Sequence, residues 1–179
     1  MKQLTSLIFV LFASAAFAQQ RQAVEIPQEI LKSIAKDVWV PFMESYQQSD
    51  SKKLKSVHSK DIVRVTMDNN RIETGEAYLD HFGSFVENVK KQGRQMDIAF
   101  ALLTTAINED QTMAYQTGYY RFSSKGPDDE NFAVRGYGHF YVGLIKENSQ
   151  WKLWLDSDGR TNITSEDFNA QETIYELKG

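Results

Sequence analysis

Arg135, Tyr137, His139 and Tyr141 occupy every second position of the stretch RGYGHFY, with Gly136 and Gly138 between them. Side chains two residues apart on a strand share a face, so this row would set a guanidinium, an imidazole and two phenols side by side. Histidine changes charge near neutral pH, and beside a carboxylate it makes a credible general base. The neighbouring run WKLWLDSDG supplies two carboxylates, Asp156 and Asp158. His139, with Asp156 as its orienting partner, is therefore the candidate acid–base pair. Arg135 and His139 together are the candidate contacts for the polar end of a bound molecule. The two aspartates alone could do acid–base work or hold a cation at a pocket rim, although Asp-Gly is also a plain turn signal.

The same row could instead belong to the outer face of a sheet used for self-association. Simple alternation puts Trp151, Leu153 and Leu155 on one face of the last strand and Trp154, Asp156 and Asp158 on the other. Trp154 would then extend an outer aromatic patch, and a single bulge would exchange the faces. On the pocket reading, Trp39, Tyr46 and Phe82 surround the apolar body of the ligand. Asp61, just before the first strand, reads as a cap or turn residue as readily as an acid. His58, His81 and His139 are too scattered for a metal motif, and H-E-x-x-H is absent. There is no nucleotide loop and no serine-nucleophile elbow either. No metal and no cofactor are expected.

The elements that must position these residues follow from periodicity. Ile30, Ile34, Val38, Phe42 and Tyr46 recur at intervals of four, which predicts a long helix. Pro41 requires a kink in it, or the start of a second helix. A short helix passes through Leu54 and Val57. The stretch 62–67 reads as a strand, with a turn at Asp68-Asn69-Asn70 and a return through Ile72. Thr74 can cap the next helix, whose buried face carries Tyr78, Phe82, Phe85 and Val89, and Gly93 suits its end. After Gly93 the period becomes two. Strands are expected over 96–107, 111–123, 131–146 and 150–158, joined by turn-rich connections that make them antiparallel. Helices followed by a strand meander indicate α+β. Residues 161–179 read as a tail or a short helix.

Composition bounds the rest. The chain has 179 residues, 41% hydrophobic and 25% charged, with a formal net charge of −4. Its lysines and arginines form no basic stripe, so no nucleic-acid partner is expected. The absence of cysteine removes disulfides and thiolate chemistry. Lys2, the apolar run Leu7 to Ala15 and the sequence Ala16-Phe17-Ala18 have the form of a cleaved export leader. That run is too short to span a bilayer, which takes about 20 residues. The expected organisation is a leader over 1–18, a polar stub over 19–26, one domain over 27–160 and the tail over 161–179. The mature chain would be periplasmic or secreted by a bacterium, with no membrane association after cleavage near Ala18.

The order of these elements resembles the nuclear transport factor 2-like, or cystatin-like, α+β cone, and within it the SnoaL-like branch. The local matches are Leu54 to Asp61 before the first strand, Thr74-Gly75-Glu76 opening a helix, Gly118, and Trp151-Lys152-Leu153. The resemblance covers roughly residues 30–160 and implies a strongly curved antiparallel sheet wrapped around N-terminal helices, with a pocket at the open end. It also implies a function among isomerases, dehydratases, cyclases and non-enzymatic binders, since a fold does not determine chemistry. Ketosteroid-isomerase-like members place an aspartate base further along the first strand. Counting from Asp61 gives Thr66 there, which cannot act as that base. The favoured expectation is an exported module that binds a small apolar or aromatic molecule, or a partner. The alternatives are a cofactor-independent enzyme using a His–Asp pair, and a homodimeric structural protein with a filled cone.

Overall fold

The computed structural model describes residues 26–177. The expected leader and most of the stub lie outside them. A helical run opens the fold as α1 (Gln28–Ile34), a π turn (Ala35–Trp39) and α2 (Val40–Gln48). Intervals of four on a helix of 3.6 residues per turn drift by about 40° per step. The wider π turn takes up that drift, so Ile30, Ile34, Val38, Phe42 and Tyr46 all stay buried. It also absorbs Pro41, which lies in the first turn of α2 and has no N–H to contribute. The run therefore continues through the proline.

Next come α3 (Ser51–Ser56), capped by Asp50, then β1 (His58–Thr66), a 3-10 turn (Met67–Asn69), β2 (Arg71–Thr74) and α4 (Gly75–Lys91). The meander follows as β3 (Gln95–Ile107), β4 (Met113–Lys125), β5 (Ala133–Glu147) and β6 (Gln150–Thr161). The C-terminal segment forms α5 (Ser165–Asn169) and a short strand, β7 (Thr173–Tyr175). No helix among the described residues is long and apolar enough to cross a membrane.

The seven strands form one open sheet in the order β2-β1-β6-β5-β4-β3-β7. Every pairing is antiparallel except β1 with β6, which is parallel and brings the first strand beside the last of the meander. Helices α1, α2 and α4 fill the concave side. There Trp39 packs on Phe100 and Phe140, with ring centroids 4.6 and 5.2 Å apart, and donates its indole N–H to the buried Gln116 side chain at 2.9 Å. On the opposite side, Phe168 of α5 is fully buried against Ala99 and Ala101 of β3. The tail therefore covers part of the convex face, and β7 closes the β3 edge.

Three bulges within the meander set the faces, and β1 has a further register shift against β6 between His58 and Val63. One lies between Phe122/Ser123 on β4 and Gly136/Val134 on β5, so Arg135 is the unpaired extra residue. A second lies in β6, where Gly143 pairs Leu155 and Leu144 pairs Leu153, so Trp154 is the extra residue. A third interrupts β3 at Leu103. Each inserted residue reverses the alternation beyond it.

Candidate functional site

The concave face encloses a cavity of about 730 Å³. Its walls are aromatic. Trp39, Phe42 and Tyr46 come from the N-terminal helical run, Phe82 from α4, Phe100 from β3 and Phe122 from β4. Phe42 meets Phe100 edge to face at 5.4 Å and Tyr46 meets Phe122 edge to face at 6.3 Å, while Phe42 and Tyr46 stack on each other at 5.4 Å.

The polar end is built by β1 and β6. On β1, Ile62 is fully buried, and Arg64 and Thr66 follow on the same face and line the cavity. The parallel register sets Arg64 opposite Asp156 and Thr66 opposite Asp158. Neighbours across paired strands interact directly. One terminal nitrogen of Arg64 meets Asp156 Oδ1 at 2.9 Å, and the other meets Asp158 Oδ1 at 2.5 Å. A single guanidinium thus bridges two carboxylates. The Tyr78 hydroxyl lies 3.4 Å from the second oxygen of Asp156. These side chains are sheltered, at 14% exposure for Arg64, 12% for Asp156 and 22% for Asp158.

The bulge at Trp154 makes this possible. Plain alternation from Trp151 and Leu153 would point Asp156 and Asp158 outward. With Trp154 inserted, Trp151 and Leu153 remain in the core, and Asp156 and Asp158 turn inward beyond them. The indole of Trp154 lies over Gly143 on the convex side, where a Cβ would come within 2.7 Å of its ring nitrogen. Gly138 serves the site in a similar way. A Cβ there would fall 2.2 Å from the ring of Tyr120, so glycine lets that ring lie flat across β5.

Charge and burial perturb these groups. Burial, and next the neighbouring Asp156, push the Asp158 carboxyl up to about 6, although Arg64 pulls the other way. Burial opposes the Arg64 charge, but Asp156, Tyr78 and Asp158 more than offset it and raise its pKa. Burial pushes the Tyr120 phenol up to about 12 and raises Tyr46 and Tyr78 as well. All three phenols hold their protons at neutral pH. Among the described residues the hydroxyls of Tyr46 and Tyr120 have no hydrogen-bond partner, and both residues line the cavity.

The residues singled out in the sequence separate between two faces. Trp39, Tyr46, Phe82 and Asp156 line the cavity. Arg135 stands at its mouth, but its guanidinium is tied to Ser124, donating to Oγ at 2.9 Å and to the carbonyl at 3.3 Å. His139 is not in the cavity. It stacks on the convex face with Tyr119 at 4.8 Å and Tyr141 at 6.2 Å, because its neighbours Gly138 and Phe140 face inward. Asp156 pairs with Val142, and His139 with Gly159. The expected His139–Asp156 pair is therefore a correction: the two occupy opposite faces of the sheet. Asp61 is exposed, and its backbone N–H is bonded to Ser59 Oγ.

Sequence reasoning missed Arg64, Tyr78 and Tyr120. An arginine at the centre of IVRVTM, sharing a face with Ile62 and Thr66, was the available signal. His58 was also missed. It is buried beside Phe42, Tyr78 and Phe82, with Nδ1 2.8 Å from the Leu54 carbonyl. That contact makes Nδ1 the protonated nitrogen, and Nε2 is sealed without a partner. Burial lowers its pKa, so the ring is neutral. Among the described residues no group of three or more His, Cys, Asp or Glu side chains could hold a metal ion.

The architecture has clear counterparts among solved structures. A conserved protein from Planctomyces limnophilus superposes with a TM-score of 0.62 at 17% identity, over 76% of this chain and 100% of its own. A ketosteroid isomerase-like protein from Erwinia carotovora atroseptica superposes with a TM-score of 0.55 at 11% identity, over 76% of this chain and 100% of its own. An ntf2-like protein with a cystatin-like fold from Novosphingobium aromaticivorans gives 0.57 at 9% identity, over 82% of this chain and 90% of its own. No protein-family model matches the sequence, nor does any curated protein. The fold is the nuclear transport factor 2-like, cystatin-like fold.

Proposed function

We propose that this chain binds a small, flat, largely apolar molecule in the concave cavity, with the ligand's polar end held by Tyr46, Tyr120 and Asp158. One observation carries this reading: two unpartnered phenol hydroxyls and a bridged carboxylate pair converge on an aromatic-walled space of about 730 Å³. Cavities of that size, mostly apolar with a few convergent polar groups, are the usual form of a small-molecule site. Trp39, Phe82 and Tyr46 would contact the apolar body, and Arg135 at the mouth would limit entry.

Calorimetric titration with 2-naphthol, a flat aromatic with one hydroxyl, tests it. Saturable binding is expected, and Tyr46→Phe should weaken it by about fivefold to tenfold, the worth of one hydrogen bond. No saturable binding, or equal affinity in the variant, would overturn the reading.

Asp158 supports a second reading, proton transfer to or from the bound molecule. A carboxyl near pKa 6 can both take and release a proton at neutral pH. A superposable protein is described as ketosteroid isomerase-like, and an isomerase or a dehydratase needs such a group. An enzyme built here would use Asp158 and the tyrosines, not His139.

Export and self-association complete the proposal. The leader at 1–18 supports a periplasmic or secreted location. The exposed convex residues Tyr115, Tyr141, Met113 and Leu103 support a homodimer.

A further inference from the structure

The closed end of the cavity is unbalanced in charge, which narrows the ligand class; this step rests on the cavity reading above. Strand β6 acts as a depth gauge. Along its inward face, exposure rises from Leu153 at 1% to Asp156 at 9%, and then through Asp158 to the exposed Arg160 at the mouth. At the deep end one guanidinium faces two carboxylates. Arg64 spends a terminal nitrogen on each of them, so the set keeps one net negative charge when both acids are ionised. Asp158 Oδ2 has no partner among the described residues.

A carboxylate cluster alone would not make a site. Here a second feature points to an occupant: Tyr46 is 7% exposed, lines the cavity, and has no hydrogen-bond partner among the described residues for its hydroxyl. Its oxygen can accept a hydrogen bond as well as donate one. The rings of Tyr46, Tyr120 and Phe82 surround the same space, and the faces of aromatic rings attract cations. An anion would meet the surplus carboxylate here and an already engaged Arg64. The positive charges at the mouth act weakly. Arg135 is bound to Ser124, and Arg160 is exposed, where salt screens over about 8 Å.

We propose that the cavity selects a ligand carrying a protonated amine, which seats its N–H groups on Asp158 Oδ2 and the Tyr46 oxygen while its apolar body lies among the aromatic walls.

Tryptamine, tryptophol and indole-3-acetate share one ring and end in a cation, a neutral hydroxyl and an anion. Calorimetry at pH 7.5 on the mature chain should rank them in that order, with tryptamine at least about tenfold tighter than tryptophol. Asp158→Asn should remove most of that preference, weakening tryptamine at least about fivefold more than it weakens tryptophol. Equal binding of all three, tighter binding of the anion, or an equal loss for all three in Asp158→Asn would overturn the amine assignment and leave the cavity reading standing. Binding of 2-naphthol without binding of any of the indoles would overturn the amine assignment alone. If neither 2-naphthol nor the indoles bind, both readings fall.

Discussion

Asp158 holds its charge against burial, and that has a consequence for stability. Its carboxyl is raised from 3.8 to about 6 in the folded chain. The folded state therefore binds more protons than the unfolded state between those values, and this residue's contribution to stability falls as pH rises through that window. The groups facing it are Arg64 from β1, Asp156 on its own strand, Asp68 from the 3-10 turn, and the phenols of Tyr46 and Tyr120 from α2 and β4. Asp158→Asn should raise stability at pH 7.5 by an amount on the order of 2 kcal/mol, and by little at pH 3.5. Urea midpoints at the two pH values check this; a variant less stable at pH 7.5 would mean that Arg64 needs both carboxylates. The same titration should weaken tryptamine binding as pH falls through about 6. Trp151 belongs to this scale too. It is fully buried, donates to Ser33 Oγ at 2.9 Å and lies under the Lys146 ammonium. Trp151→Ala should cost about 3–5 kcal/mol, against about 0.5 kcal/mol for Lys152→Ala. Similar midpoints for the two variants would contradict the assignment of faces.

At the scale of elements, the site depends on a count. Strand β6 carries Trp154 as its one extra residue, and everything beyond it faces the opposite way from plain alternation. Inserting one alanine after Leu155 should move Asp156 and Asp158 one pairing position along β5, turn them outward and leave Arg64 as a sheltered charge without a partner. Breaking such a pair costs about 3–5 kcal/mol. Trp154→Ala keeps the count and should cost only about 1–2 kcal/mol. Chemical denaturation of both variants separates the two effects, and equal midpoints would show that the indole matters and the register does not. The π turn is a device of the same kind. One wider turn keeps five residues spaced by four on a single buried face and carries the chain past Pro41.

For the whole molecule, the open question is what lies outside each face. The concave side is filled by helices except at the cavity. The convex side is covered by Phe168 and its neighbours over β3, and it exposes Tyr115 and Tyr141 further along the meander. If that exposed part is a self-association surface, Tyr115→Lys with Tyr141→Lys should shift sedimentation from a dimer to a monomer while leaving far-UV circular dichroism unchanged. A wild-type chain that sediments as a monomer would remove the homodimer. Mass spectrometry of the exported protein should find Gln19 at or near the N-terminus, and an intact Met1 chain in the membrane fraction would contradict cleavage.

Periodicity by itself determined the element order and the α+β class, because alternation and four-residue spacing are local properties that each segment carries in its own side chains. It also marked Trp39, Tyr46 and Phe82 as members of inward-facing rows. It could not assign Arg135, His139 and Asp156 to faces. Those assignments depend on residues inserted against a partner strand, at Arg135 opposite β4 and at Trp154 opposite β5, and an insertion exists only relative to a register. The bridge from Arg64 to Asp156 and Asp158 joins residues more than ninety positions apart, through a parallel pairing of the first strand with the sixth. Only the strand order of the folded sheet makes that pairing, which is why tertiary structure decided the site that local pattern could not.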